Sequence, residues 1–511
     1  MRPVHSVLAI ILLVGVFYAL TIRPGLPWGD DFAMYLMHAR NLATGTPYSA
    51  TGYVYNAARP DIGPPSYPPL FPVMIAPVIA ATGFNTYLLK TEVALCFLAA
   101  LWMIYLYVRR QVPAPYAAAI VAVMGFSPYC WQLRDNITSD MPFLLLLFLT
   151  YNRLAESDKT RWASVANSFV TGILIYLCFA CRVAGIVVLP SLVAYEVIRR
   201  LRNHGSGTHS GWCMRNARPV APLHGMWISG GVALGGIILQ VLMLRSETEY
   251  AQGVGLSRAV MFRHLREYVW SLRNDWFHLS GVAGWVALAI VGLLGLVGYF
   301  LVVRRALSAM EIFVAAYAAM VALWATDQDL RFLLPLIPLW LMYASVAIVH
   351  LRGLGFRKIS FGLIATAFLI FAAGDANYYL RVRDVRAPGG TNDEGFVGIA
   401  RFVRDTTPAD ATIIFSKPRL LALVSDRKSA IYPLAGADDV IRYCQQIGAQ
   451  YLITGDAFAD DRRVLAPIIA EHPDRFELLF QTPGFRLYRL RDEPERAGYQ
   501  PAPSTGATSA S

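Results

Sequence analysis

The chain has 511 residues, 56% of them hydrophobic and only 15% charged, with a formal net charge of +11 at pH 7. Apolar stretches of bilayer-spanning length recur along it, which excludes a soluble protein of this size. The basic residues cluster between those stretches, as topology determinants do, so the charge does not point to nucleic acid. The N-terminus, MRPVHSVLAIILLVGVFYALTIRPG, has a charge and an apolar run but no small-residue cleavage pattern, and reads as an uncleaved first helix. Spans are predicted near residues 4–22, 88–108, 114–132, 139–154, 163–181, 183–198, 225–244, 281–303, 309–325, 332–350 and 358–377. That is roughly eleven helices, a polytopic, mainly α membrane domain over residues 1–380.

One set of loops holds Arg109-Arg110, then Arg153, Lys159 and Arg161. It continues with Arg199, Arg200, Arg202, Arg215 and Arg218, then Arg304-Arg305, then Arg352, Arg357 and Lys358. With the N-terminus cytoplasmic, all of them fall on the cytoplasmic side of a plasma (bacterial inner) membrane and the C-terminus lies outside. This requires that PPLFPVMIAPVIAATGF (68–84), proline-broken and short, be re-entrant or surface-lying. Two long outer segments result, 23–87 and 245–280. In the second, Met261, Leu265, Tyr268, Leu272 and Trp276 share a helical face among Arg258, Arg263, Arg266 and Arg273, a basic amphipathic helix suited to anionic headgroups or to a substrate. The six cysteines show no metal-site spacing; Cys178 and Cys181 sit on a membrane helix and Cys213 in a basic loop.

From about residue 388 the texture changes to alternating strand and helix. ATIIFS, SAIYPL and QYLITG read as strands, PRLLALVSD, ADDVIRYCQQIGA and VLAPIIAEHP as helices, and FELLFQTPGFRLYRL as a hairpin around Pro-Gly. A small extracytoplasmic α/β domain over 388–490 is expected, with a largely parallel sheet. The small, polar tail 491–511 is expected to be disordered.

Chemistry-bearing residues gather at the outer helix ends. In WGDDFAMYLMHARNLATG, Phe32, Tyr35, Leu36, Ala39, Leu42 and Ala43 repeat at three and four residues, so Asp30 and Asp31 open an amphipathic helix. An Asp there caps free N–H groups, but one is enough for that. Arg134 and Asp140 lie in the short loop between the third and fourth spans, Arg182 at the outer end of the fifth, and Asp327, Asp329 and Arg331 before the tenth. Singly, each arginine is explained by snorkelling. Together, carboxylates suit a general base or a metal, and arginines suit a phosphate.

At these residues the chain resembles the GT-C fold glycosyltransferases that depend on polyprenyl-phosphate sugars, in particular the protein O-mannosyltransferase and aminoarabinose transferase group. The resemblance rests on Asp30-Asp31 with Tyr35 a turn later, on SYPPLFP with Tyr67, on Arg134 followed by Asp140, and on RFLLPLIPLW opening with Arg331. Ser66-Tyr67 stand where aminoarabinose transferases carry a Glu-Lys pair. The resemblance implies Asp31, Asp30 and Asp140 as catalytic candidates, with Asp31 favoured by its spacing to Tyr35. It implies Tyr35, Tyr67, Arg134, Arg182 and Arg331 as substrate-binding candidates. Asp31 would take a proton from an acceptor hydroxyl that attacks the anomeric carbon with inversion, while arginines stabilise the leaving polyprenyl phosphate. A divalent metal shared by Asp140 and Asp31 stays open, as does the acceptor: protein, lipid or glycan. The competing readings are a lipid-linked-sugar transporter or flippase, recognised by flux without transfer, and a non-catalytic scaffold, recognised by function surviving loss of both aspartates.

Overall fold

The computed structural model describes residues 3–157, 165–205, 223–244, 258–279, 281–324, 329–382 and 389–491. Lys159, Arg161, Cys213, Arg215, Arg218, Asp327, residues 245–257 and nearly all of the tail lie outside the described residues. The chain forms two compact units, residues 1–51 with 60–392, and residues 52–59 with 393 onward.

The first unit is helical. Its helices in chain order include α1 (Pro3–Leu20), α2 (Asp31–Thr44), α3 (Leu70–Thr82), α4 (Thr86–Val108), α5 (Ala114–Phe126), α6 (Pro128–Arg134), α7 (Asp140–Ser157), α8 (Val165–Cys181), α9 (Val188–Gly205) and α10 (Leu223–Leu244). They continue with α11 (Arg258–Ser271), α12 (Gly281–Ala306), α13 (Ala309–Leu323), α14 (Ile337–Gly353) and α15 (Arg357–Arg381). Among the described residues four helices, α4, α10, α12 and α15, are long and apolar enough to cross a membrane, and shorter apolar helices accompany them. Their outward faces carry bare leucine, valine and phenylalanine, such as Leu242, Leu293 and Phe368. Those side chains have a favourable place only in lipid.

Proline sets several breaks that a hydropathy pattern passes over. The span expected over 114–132 is two helices, because Pro128 follows an extended Ser127 (φ −57°, ψ 129°) and restarts the chain as α6. The span expected from 332 starts only at Ile337, with Pro338 in its first turn, so Arg331 sits on a separate 3-10 turn, Asp329–Leu333. Cleaner starts come from side chains: Ser308 and Glu311 form a reciprocal capping box at α13, and Asn85 accepts from the Leu88 N–H at α4. α12 and α14 approach closely because Gly298 faces the Tyr343 carbonyl, where a Cβ would fall 1.7 Å from the oxygen.

The expected amphipathic helices are altered in detail. In α2, residues Phe32 to Ala39 are buried on every side, packed against α3 and the following loop, so it is an enclosed helix rather than a surface one. Only Leu42 onward emerges, and Gly45 ends the helix in the left-handed region (φ 71°). In α11 the inward residues are His264, Tyr268 and Ser271, while Leu265 is exposed with Phe262 and Trp270. A π-turn over Leu272–Trp276 then shifts the phase and brings Trp276 inward.

The second unit is a six-stranded sheet with helices. Its strands are β1 (Tyr53–Val54), β2 (Thr412–Ile414), β3 (Lys428–Ala430), β4 (Tyr451–Gly455), β5 (Phe476–Thr482) and β6 (Phe485–Leu490), in the order β1-β3-β2-β4-β6-β5. The first four are parallel, β6 pairs antiparallel with β4, and β5 pairs antiparallel with β6. Buried Ile413, Ile414, Leu452 and Ile453 form the centre, as parallel strands covered on both faces require. The edge strand β1 comes from residues 52–59, far from the rest in sequence. Inside this unit, Asp461 accepts from the Tyr432 hydroxyl (2.6 Å), the Ser416 hydroxyl and the Gly455 N–H (2.7 Å), joining the C-terminal ends of three strands.

Candidate active site

Asp31 is the first residue of α2, where the helix N-terminus favours a carboxylate. Asp30 is the N-cap residue, but it is in helical conformation (φ −105°, ψ −20°) and its side chain makes no capping hydrogen bond. Capping therefore does not account for either aspartate.

Asp31 instead belongs to a chain of alternating charges. The Tyr67 hydroxyl donates to Asp31 Oδ1 at 2.5 Å, and Arg331 Nη1 donates to Asp31 Oδ2 at 2.7 Å. The other arm of the same guanidinium, Nη2, donates to Asp140 Oδ2 at 3.1 Å. Asp140 Oδ1 takes Arg182 Nη1, and the Thr138 hydroxyl donates to Asp140 Oδ2 at 2.7 Å. Arg182 also lies over the Phe332 ring, 5.3 Å from its centroid, beside Arg331.

The two aspartates differ in access. The Asp140 side chain is 2% exposed, that of Asp31 29% and that of Arg331 22%. Asp140 is thus a buried anion, acceptable only because two arginines and a hydroxyl satisfy it. Asp31 and the Arg331 arm on it are open to a ligand. Burial pulls the Arg331 guanidinium down, but the Asp140 and Asp31 carboxylates outweigh it and hold it well above its ordinary range. It remains a cation at every working pH.

Tyr67 is itself clamped. Its backbone N–H donates to His38 Nε2 at 3.1 Å, and its carbonyl accepts the Tyr48 hydroxyl at 2.8 Å. His38 is fully buried, stacks on the Tyr48 ring at 4.0 Å, and reaches the Tyr48 carbonyl through Nδ1 at 2.8 Å. Only one neutral tautomer serves both contacts: Nδ1–H donates and Nε2 accepts. Tyr35 packs on Tyr67 (4.9 Å between centroids) and its hydroxyl meets Ser139 Oγ at 2.8 Å, next to Asp140.

Of the residues expected at the site, Asp31, Asp140, Tyr35, Tyr67, Arg182 and Arg331 are assembled here. Arg134 is not. It is fully buried, and its donors go to the Tyr18, Thr21 and Trp131 carbonyls, so it braces the end of α1 rather than offering itself to a phosphate. The neighbouring Asp135 pairs with Arg23 at 2.5 Å and with Lys90 at 3.6 Å, and Lys90 also donates to the Arg23 and Gly25 carbonyls. His38, Tyr48 and Thr138 are site residues that the sequence does not single out.

A divalent ion does not fit between Asp31 and Asp140. The Arg331 fork already occupies the carboxylate oxygens that such an ion would bridge, and no group of three or more His, Cys, Asp or Glu suited to a metal occurs among the described residues.

Over residues 66–212 the chain matches the family described as dolichyl-phosphate-mannose-protein mannosyltransferase. That stretch includes Tyr67, Asp140 and Arg182; Asp31 and Arg331 lie on either side of it. No curated protein matches the chain. Among solved structures, the oligosaccharyltransferase AglB of Archaeoglobus fulgidus, in complex with an inhibitory peptide and a dolichol-phosphate, is similar with a TM-score of 0.56 at 13% identity, over 96% of this chain and 75% of its own. ArnT of Cupriavidus metallidurans bound to undecaprenyl phosphate gives 0.54 at 13% identity, over 95% of this chain and 97% of its own, and its apo state gives 0.55. These likenesses show the fold, which is GT-C.

Proposed function

We propose that the protein transfers a sugar from a polyprenyl-phosphate donor to an acceptor hydroxyl, on the extracytoplasmic face of a plasma membrane. One observation carries this reading: a single guanidinium, Arg331, is forked between an accessible carboxylate and a buried one. The buried Asp140, held by Arg182 and Thr138, fixes Arg331 in place. The accessible Asp31 is oriented by Tyr67 and is the group able to accept a proton.

When the donor phosphate arrives, it competes with Asp31 for the exposed arm of Arg331. A phosphate is the better match for a planar fork, so the arm turns to the leaving group. Asp31, relieved of its counter-ion, becomes more basic as the donor binds. It then takes the proton of the acceptor hydroxyl as that oxygen attacks the anomeric carbon, with inversion. The leaving group is already an anion and needs charge stabilisation rather than a proton, which Arg331 supplies. Arg182 acts through Asp140 as a positioning residue. That AglB and ArnT are each captured with a polyprenyl phosphate supports a lipid-phosphate donor. The α/β unit is the candidate for acceptor binding.

Binding of undecaprenyl phosphate to the purified chain tests this. Arg331→Gln should weaken it about tenfold or more, the worth of a charge-assisted hydrogen bond, and Arg331→Lys by less, since the charge remains but not the fork. Equal affinity in wild type and both variants would refute the assignment of Arg331.

A further inference from the structure

The helices that bring residues to the Asp31–Asp140 cluster run from it to the opposite end of the membrane unit. α7 begins at Asp140 and carries Tyr151 and Leu154, roughly 16–21 Å further along its axis at 1.5 Å per residue. α9 follows Arg182 and carries Leu192, Tyr195 and Glu196; α13 precedes Arg331 and starts beside Ser308. At these far ends a cavity of about 360 Å³ lies between α4, α7, α9 and the α12–α13 turn. Nothing in the proposed transfer reaction uses it.

Its wall combines opposite charges with aromatic faces. Arg110 donates through Nη2 to Glu156 at 3.1 Å, while its Nη1 is buried with no hydrogen-bond partner. The Tyr151 hydroxyl is buried beside Ser191, on a side chain 2% exposed. Glu196 is 3% exposed, and Arg199 and Arg200 both approach its Oε2, at 2.8 and 3.8 Å. Tyr107, Tyr195 and Ser308 complete the polar lining, and leucines the rest.

A lone anion would meet the Glu196 carboxylate, and a lone cation would meet Arg110. A zwitterion satisfies both. At the ends of bilayer-crossing helices, the zwitterion in reach is a phospholipid headgroup. A phosphodiester suits the unpartnered Nη1 arm of Arg110 and the Tyr151 hydroxyl. An ammonium suits the Glu196 oxygen that Arg199 and Arg200 leave, Oε1, with the tyrosine faces beside it. A primary ammonium offers three N–H donors to a carboxylate and a quaternary one offers none. We propose that this cavity seats the headgroup of an aminophospholipid, bracing the far ends of the helices that carry Asp140, Arg182 and Arg331.

The test uses the full-length chain, purified and stripped of lipid, with native mass spectrometry and thermal melting. Phosphatidylethanolamine, phosphatidylcholine, phosphatidylglycerol and inorganic phosphate are added back separately. The expected result is tightest retention of phosphatidylethanolamine, with a raised melting temperature, as ligand linkage requires. Arg110→Gln and Tyr151→Phe should each weaken that adduct about fivefold or more, one by removing a charge and the other only a hydroxyl. Equal retention of the three lipids, protection by inorganic phosphate as strong as by phosphatidylethanolamine, or an adduct unchanged in both variants would overturn the proposal. None of these readouts depends on sugar transfer.

Discussion

Arg331 and Asp31 stand 300 residues apart in the chain, and their side chains meet at 2.7 Å. The pair is an electrostatic lock with one exposed side. Because Asp140 anchors the second arm of Arg331 at 3.1 Å, a phosphate can displace Asp31 without releasing the arginine. In the proposed reaction, donor binding and activation of the base would thereby be coupled through one guanidinium.

The two aspartates should fail differently. Asp31→Asn removes the proton acceptor at a partly open position, so transfer should drop about 100-fold or more while the melting temperature stays close to wild type. Asp140→Asn leaves Arg182 without its anion and Arg331 with Asp31 alone, which should cost about 3–5 kcal/mol of stability as well as activity. Melting and transfer measured on the same preparations separate the roles. A stable, active Asp140→Asn would contradict the bracing role.

The clamp on Tyr67 predicts coupling. Tyr67→Phe removes the hydrogen bond to Asp31, and His38→Phe removes the acceptor for the Tyr67 N–H. Each should lower kcat by about tenfold, from one lost positioning hydrogen bond. Since both act through Asp31, the double variant should be little worse than the poorer single one. Fully multiplicative losses would show that His38 acts elsewhere.

A pH effect on stability follows from His278, between the π-turn and α12. Burial lowers its imidazole to about 4, and its Nε2 has no hydrogen-bond partner. The unfolded chain takes up this proton first, near the usual value of about 6.5. The contribution to stability is therefore complete above about 6.5 and is lost as pH falls toward about 4. His278→Asn, which tolerates the local φ of 50°, should melt with a shallower fall between pH 7 and 4.5 than wild type. Parallel curves would assign the fall to other groups.

Much of this architecture is legible in the sequence, for reasons that differ by element. The membrane helices come from runs of apolar residues, and the strands and helices of the second unit from their periods, because burial writes both patterns directly into composition. Asp31, Asp140, Arg182 and Arg331 stand out because charge at the end of an apolar span is costly unless used. Direction is what the pattern withholds. Arg134 and Arg182 look alike in sequence, yet one turns into backbone carbonyls and the other onto Asp140. His38 reads as a core residue of an apolar helix, and its partners Tyr48 and Tyr67 depend on how the intervening loop folds. The edge strand at Tyr53–Val54 is two residues long, and its pairing with Ser429 and Ala430 is wholly non-local. The inward turn of Trp276 after α11 comes from a π-turn, which no 3.6-residue period anticipates.

The most direct test of the central claim is release of polyprenyl phosphate by the purified protein, measured with a panel of polyprenyl-phosphate sugars and acceptors. The account predicts acceptor-dependent release by wild type with at least one sugar, and about 100-fold less by Asp31→Asn at equal folding. Release by Asp31→Asn equal to that of wild type would contradict it.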